Sequence, residues 1–131
     1  MKLLALSAIF APHQPVWERY GYLECTSNVR VECSLLAMTC ERLPMRARAF
    51  VDFHSNKMRI STASVTRTIL DRESQVWPDG TWIGDYVYLR GGEVLTFSPI
   101  DEAANPGTLK ASTSSSSSAT LVKVEWACES A

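Results

Sequence analysis

The chain has only two histidines, no C-x-x-C pair and no run of like charges, and each absence closes off a class of function. His13 and His54 stand alone, and Cys33 and Cys40 lack the spacing of zinc ligands, so no metal framework is present. Thirteen Lys and Arg against fourteen Asp and Glu give a net charge of -1, which argues against a chain built as a whole to bind nucleic acid. The longest largely apolar stretch, residues 3–11, falls well short of the ~20 residues that cross a bilayer, so no stable transmembrane segment is expected. Walker, G-x-G-x-x-G, G-x-S-x-G and H-E-x-x-H motifs are missing, and Asn28, Asn56 and Asn105 open no glycosylation triplet. Asp52 and His54 lie two apart on one strand face, the geometry of a carboxylate-oriented base, but no nucleophile accompanies them. The sequence therefore reads as non-enzymatic and without a cofactor.

What the chain does have is four cysteines in an uneven arrangement. Cys25, Cys33 and Cys40 crowd near the start, and Cys128 stands close to the end. An even count in a β-patterned chain suggests a disulfide framework and an oxidising compartment. At 131 residues the chain is one domain, able to bury roughly two thirds of its unfolded surface, so disulfides would reinforce a core and not replace one.

The start of the chain bears on compartment. Lys2 and the apolar run that ends at Ala11 have the grammar of a short export signal over residues 1–11. The run is short for a signal and Pro12 is a poor neighbour for cleavage, so an uncleaved anchor or a first element of the domain are the alternatives. The cysteines favour export, to a periplasmic or extracellular location.

Residues 12–131 read as a single all-β domain. Strand-like runs recur with turn residues every eight to twelve positions, the spacing of an antiparallel barrel or barrel-like sandwich of about eight strands. Residues 16–26 and 29–35 read as a first pair around Ser27-Asn28. Residues 46–54 and 57–61 form a second across Ser55-Asn56, where Asn tolerates positive φ. A strand over 64–73 follows, then a Trp77-Pro78-Asp79-Gly80 turn. The strongest hairpin joins residues 82–90 and 93–98 through Gly91-Gly92. Residues 34–43 read as a short helix or, given the cysteines, a disulfide-pinned loop. The Ser-rich stretch at 99–118 reads as a mobile loop with a candidate short edge strand at Thr108 to Ala111, since Ser112 to Ser118 offers no apolar surface to bury. Residues 119–128 form the last strand.

Strand alternation turns the cysteine count into a geometric expectation. Leu23 and Cys25 alternate against Glu24, and Val124, Trp126 and Cys128 alternate against Lys123 and Glu125, so Cys25 and Cys128 both point inward. First and last strands are neighbours in a closed up-and-down barrel. The expected pairing is Cys25 with Cys128 and Cys33 with Cys40. The early Tyr22-Leu23-Glu24-Cys25, the two following cysteines, the β-rich middle and the terminal cysteine resemble small exported bacterial β-barrel proteins, a style of barrel shared by periplasmic lysozyme inhibitors. The resemblance is architectural and transfers no residue's role.

Charge and aromatics point to candidate surfaces. Residues 26–72 carry eight basic and four acidic side chains, while residues 73–131 carry three and eight. Trp82, Tyr86, Tyr88 and Arg90 recur with period two and form a candidate aromatic and basic stripe for a partner or sugar. The function expected is a small exported, monomeric binding or inhibitor-type barrel with a protein, glycan or envelope component as partner. The alternatives are a lipocalin-like carrier with residues 99–118 as lid, and an intracellular OB-type barrel presenting Arg46, Arg48, Arg59 and Arg67 to nucleic acid.

Overall fold

The structure, a computed structural model, describes residues 14–98 and 108–130. The export signal read over 1–11 and the 99–107 part of the Ser-rich stretch lie outside the described residues. A four-residue helix α1 (Val16–Arg19) precedes eight strands: β1 (Tyr22–Ser34), β2 (Thr39–Asp52), β3 (Lys57–Ile60), β4 (Val65–Val76), β5 (Trp82–Leu89), β6 (Val94–Phe97), β7 (Thr108–Ser116) and β8 (Thr120–Ser130). Each strand runs antiparallel to the next, and β8 returns to β1 to close the ring. No helix among the described residues is long and apolar enough to cross a membrane.

Closure rests on the expected cross-link. Cys25 stands opposite Cys128 in the β1–β8 ladder and is bonded to it, with both residues fully buried. Cys33 stands opposite Cys40 in the β1–β2 ladder and forms the second disulfide. Period-two alternation sends Leu23, Val51, Met58, Val87, Leu95, Phe97 and Trp126 into the ring, which they fill. Trp126 also satisfies its indole, whose Nε1 donates to Thr113 at 3.0 Å. Two disulfides of this kind fit an oxidising environment.

Three expectations about local structure differ from what the chain does. Ser27-Asn28 is not a hairpin turn. β1 runs straight through it with a bulge between Ser27 and Val29, because the buried Ser27 hydroxyl binds its own backbone, accepting from Val29 N at 3.4 Å and donating to Val29 O at 3.2 Å. The expected first strand over 16–26 therefore starts only at Tyr22, and its first residues are α1. Residues 34–43 contain no helix; the disulfide-pinned alternative is what forms, reduced to a four-residue turn between β1 and β2. Most of the Ser-rich stretch that is described, Thr108–Ser116, is strand β7, held by backbone ladders to β6 and β8 and by the buried side chains of Leu109, Ala111 and Thr113.

A helix of four residues has no stability of its own, so α1 is positioned by the barrel. Pro15 supplies the starting φ of -57°, and its carbonyl accepts from Glu18 N and Arg19 N. Val16 is fully buried, and Trp17 packs on Phe53 with ring centroids 6.4 Å apart. The Arg72 guanidinium lies over both rings, at 5.9 and 5.3 Å, and donates to Phe53 O and Asn56 Oδ1. Gly21 lies against the exposed His54 ring, which would have to swing aside for any larger residue there. In an up-and-down ring the connections alternate between ends, and α1 caps the end that carries the β2–β3 and β4–β5 turns.

Candidate binding site

The opposite end of the barrel is uneven. β3 pairs only with Ala49–Asp52 of β2, so the rest of the β1–β2 hairpin, with β8 and β7 beside it, reaches beyond β3. The exposed β2 edge is blunted by Pro44, which has no N–H, and by Arg42 and Arg46. Thr62 and Ser61 close its lower end, Thr62 Oγ1 accepting from Arg48 N at 3.4 Å and Ser61 Oγ donating to Arg48 O at 3.1 Å.

At the far end of this extension sits the most exposed apolar cluster among the described residues. Leu36 and Met38 are each 85 % exposed and Leu35 is 48 % exposed, with Leu121 beside Cys33 on the neighbouring strand. The turn is rigidly built. Ser34 and Thr39 form the last ladder pair, Cys33–Cys40 lies directly below it, Ser34 Oγ accepts from Ala37 N at 3.2 Å, and Leu35 N reaches Ala119 O at 2.9 Å. Met38 holds φ at +56°, a left-handed conformation that Gly or Asn adopts at less cost. Residues 33–40 and 111–122 carry no charge, so hydroxyls of Ser and Thr surround the apolar tip. Below it, Glu32 and Glu41 face each other across the ladder; Arg30 pairs with Glu32 at 2.6 Å, and no ion pair engages Glu41 among the described residues.

The Trp82, Tyr86, Tyr88 and Arg90 stripe is divided by the structure. A register shift between Gln75 and Val76 breaks the alternation before Trp82, whose indole turns to the core and donates to Asp85 Oδ1 at 2.9 Å. Tyr86 and Tyr88 remain half-buried on the outer wall, and Arg90 is exposed at the β5–β6 turn. Tyr88 donates its hydroxyl to Glu73 Oε2 at 2.9 Å, and this bond to the neutral phenol holds its pKa above the usual tyrosine value. Replacing Glu73 with Gln is expected to return the Tyr88 titration towards an ordinary phenol, read as an earlier rise of tyrosinate absorbance; an unchanged curve would show that the bond does not form in solution.

No protein-family model, no curated protein and no solved structure matches this chain. Its geometry alone bears on function. Asp52 Oδ1 accepts from the backbone N–H groups of His54 and Ser55 at 3.0 and 3.1 Å, so this carboxylate organises the β2–β3 turn. Those bonds, Ser55 first, hold its pKa below the ordinary value. Arg46, Arg48 and Arg59 are exposed on or beside the outer wall, whereas Arg67 turns to the rim and pairs with Glu93 at 2.8 Å. No group of three or more His, Cys, Asp or Glu among the described residues is arranged to hold a metal ion.

Proposed function

We propose that this chain is an exported, monomeric, non-enzymatic binding module of inhibitor type, which inserts the Leu35–Met38 turn into an apolar cleft of a partner protein. The observation that carries this reading is the tip itself, where Leu36 and Met38 stand almost fully in water at the end of a disulfide-stapled hairpin. A turn of Leu-Leu-Ala-Met breaks two local rules, since turns favour Gly, Asn, Asp and Pro, and positive φ disfavours Met. Apolar residues placed in water at such a cost support a binding role. The staple orders the loop before it meets a partner, which lowers the entropic cost of association. Glu41 beneath the tip, which no ion pair engages among the described residues, suits a cleft with a cationic lip.

Burying each of Leu36 and Met38 is worth roughly 1.5–3 kcal/mol, about 10- to 150-fold in affinity per residue. A photocrosslinker placed at position 37 is expected to yield one discrete protein adduct in envelope extract. Excess unlabelled protein should compete it away, and the Leu36→Ser/Met38→Ser protein should not. Met38→Asn should raise the melting temperature while weakening competition, because it relieves the backbone and removes a contact. Adducts that do not saturate, or a tip that instead pellets with vesicles, would overturn the reading.

A further inference from the structure

The outer wall of β7, β8, β1, β2 and β3 carries a second feature that the tip does not use. A depression of about 490 Å³ lies where β1 bulges beside β8 and β7, and its rim carries Arg42, Lys110 and Lys123. A smaller one of about 220 Å³ adjoins it through Thr26 and Ala127, which line both. A third, of about 320 Å³, lies further round the wall between Tyr22, Phe50, Lys57 and Arg59. The register explains the floor of this track. Lys110, Ala127, Thr26 and Arg48 are successive cross-strand neighbours on β7, β8, β1 and β2, so two small side chains lie between two cations whose strands are about 14 Å apart.

Charge along the track is unevenly neutralised. Arg42 pairs with Glu125 and Arg48 with Glu24, but no ion pair engages Lys57, Arg59, Lys110 or Lys123 among the described residues. Arg59 is also held in place, its guanidinium stacked 5.1 Å from the Phe50 ring centre while Tyr22 stacks on the same ring at 5.9 Å. A guanidinium fixed in this way presents its N–H edge for two-pronged contact with a carboxylate. The β4–β5 part of the wall is the opposite in sign, with Asp71 and Glu73 beside Tyr86 and Tyr88.

We propose that this wall binds an acidic polysaccharide, a chain of sugars bearing carboxylates at intervals. The free cations would take the carboxylates, Tyr22 and Phe50 would face sugar rings, and Thr26 and Asp52 would meet hydroxyl groups. Glu24, Asp52, Glu125 and Glu129 lie among the cations, and a nucleic acid, with a phosphate at every residue, would be repelled where a hydroxyl-rich sugar with sparser charge would be held. The site is separate from the tip, so it stands or falls independently of the inhibitor reading.

The test uses the full chain and a hexasaccharide of alternating uronate and neutral sugars in titration calorimetry, beside a wholly neutral hexasaccharide and a short oligothymidylate. Saturable binding of the uronate alone is expected, weakening as salt rises from 50 to 300 mM. Lys110→Gln/Lys123→Gln and Arg59→Gln should each reduce it about tenfold or more, and Leu36→Ser/Met38→Ser should leave it unchanged. Failure of the uronate to bind, equal binding of the neutral sugar or the oligothymidylate, or affinity untouched by the cation substitutions would overturn the proposal. Loss of binding only in the tip variant would assign the sugar to the tip.

Discussion

Replacing Cys25 and Cys128 together with Ala is expected to lower the melting temperature by roughly 15 °C, the larger of the two disulfide effects. The bond spans a sequence separation of 103, and the chain-entropy model assigns a loop of that size about 4.7 kcal/mol. At about 3–4 °C per kcal/mol for a domain of this length, that gives the stated shift. Cys33 and Cys40 are separated by only 7 residues, so the same model gives about 2.5 kcal/mol for their double replacement. Location adds to the difference, because Cys25 and Cys128 are fully buried among core side chains whereas Cys40 is exposed. Calorimetry of the oxidised protein and the two double variants at one pH measures the order directly. Equal or reversed losses would show that closure is carried by the β1–β8 backbone ladder and the inward side chains, with the long cross-link adding little. The short staple would then matter chiefly for the tip, and its removal should weaken partner binding more than it lowers stability.

The parts of this fold that were legible in the sequence are those where one strand face is buried and the turn chemistry is unambiguous. Asn56 at φ +57°, Gly91 at +99° and Gly92 at +87° sit in the expected hairpin turns, and Gly80 N closes the expected turn onto Trp77 O at 2.8 Å. Inward alternation of Trp126 and Cys128 was enough to pair the cysteines correctly. Bulges were not legible, since a Ser-Asn pair between β-branched runs looks the same whether the chain turns or passes straight through. The Ser27 bulge thus hid the length of β1, and the shift near Gln75 sent Trp82 inward away from Tyr86 and Tyr88. The Ser tract of β7 was illegible for a different reason. Its strand is held by backbone bonds to β6 and β8, with Thr113 as the inward side chain that Trp126 engages, and composition carries no trace of that. The tip was visible as letters but not as a site: a four-residue turn between two cysteines that holds Leu-Leu-Ala-Met in place of turn residues is a signal only once Cys33 and Cys40 are known to face each other.

A second large effect is expected at Asp85, a carboxylate on the inward face of β5. The side chain is fully buried. Its Oδ2 accepts from Val16 N at 2.8 Å, and its Oδ1 accepts from Ser74 Oγ and from Trp82 Nε1 at 2.9 Å. One carboxylate thus fastens the first N–H of α1 to the β4–β5 wall. Asp85→Leu fills similar space but leaves one buried and two half-buried donors without this acceptor, and about 3–5 kcal/mol of stability should be lost. Asp85→Asn keeps one oxygen and turns an NH₂ towards donors, so a smaller loss of roughly 2 kcal/mol is expected. Because α1 is too short to persist alone, the first consequence should be local: hydrogen exchange at the Val16 amide should accelerate in Asp85→Asn before the barrel strands lose protection. Unchanged Val16 protection would mean that the packing of Val16 and Trp17, with Arg72 over Trp17 and Phe53, holds the helix without its anchor. The tip lies at the other end of the ring, so competition by Asp85→Asn for the tip's partner should match the parent protein at temperatures where both are folded. A loss there would show that the plugged end and the binding end are mechanically coupled through the wall.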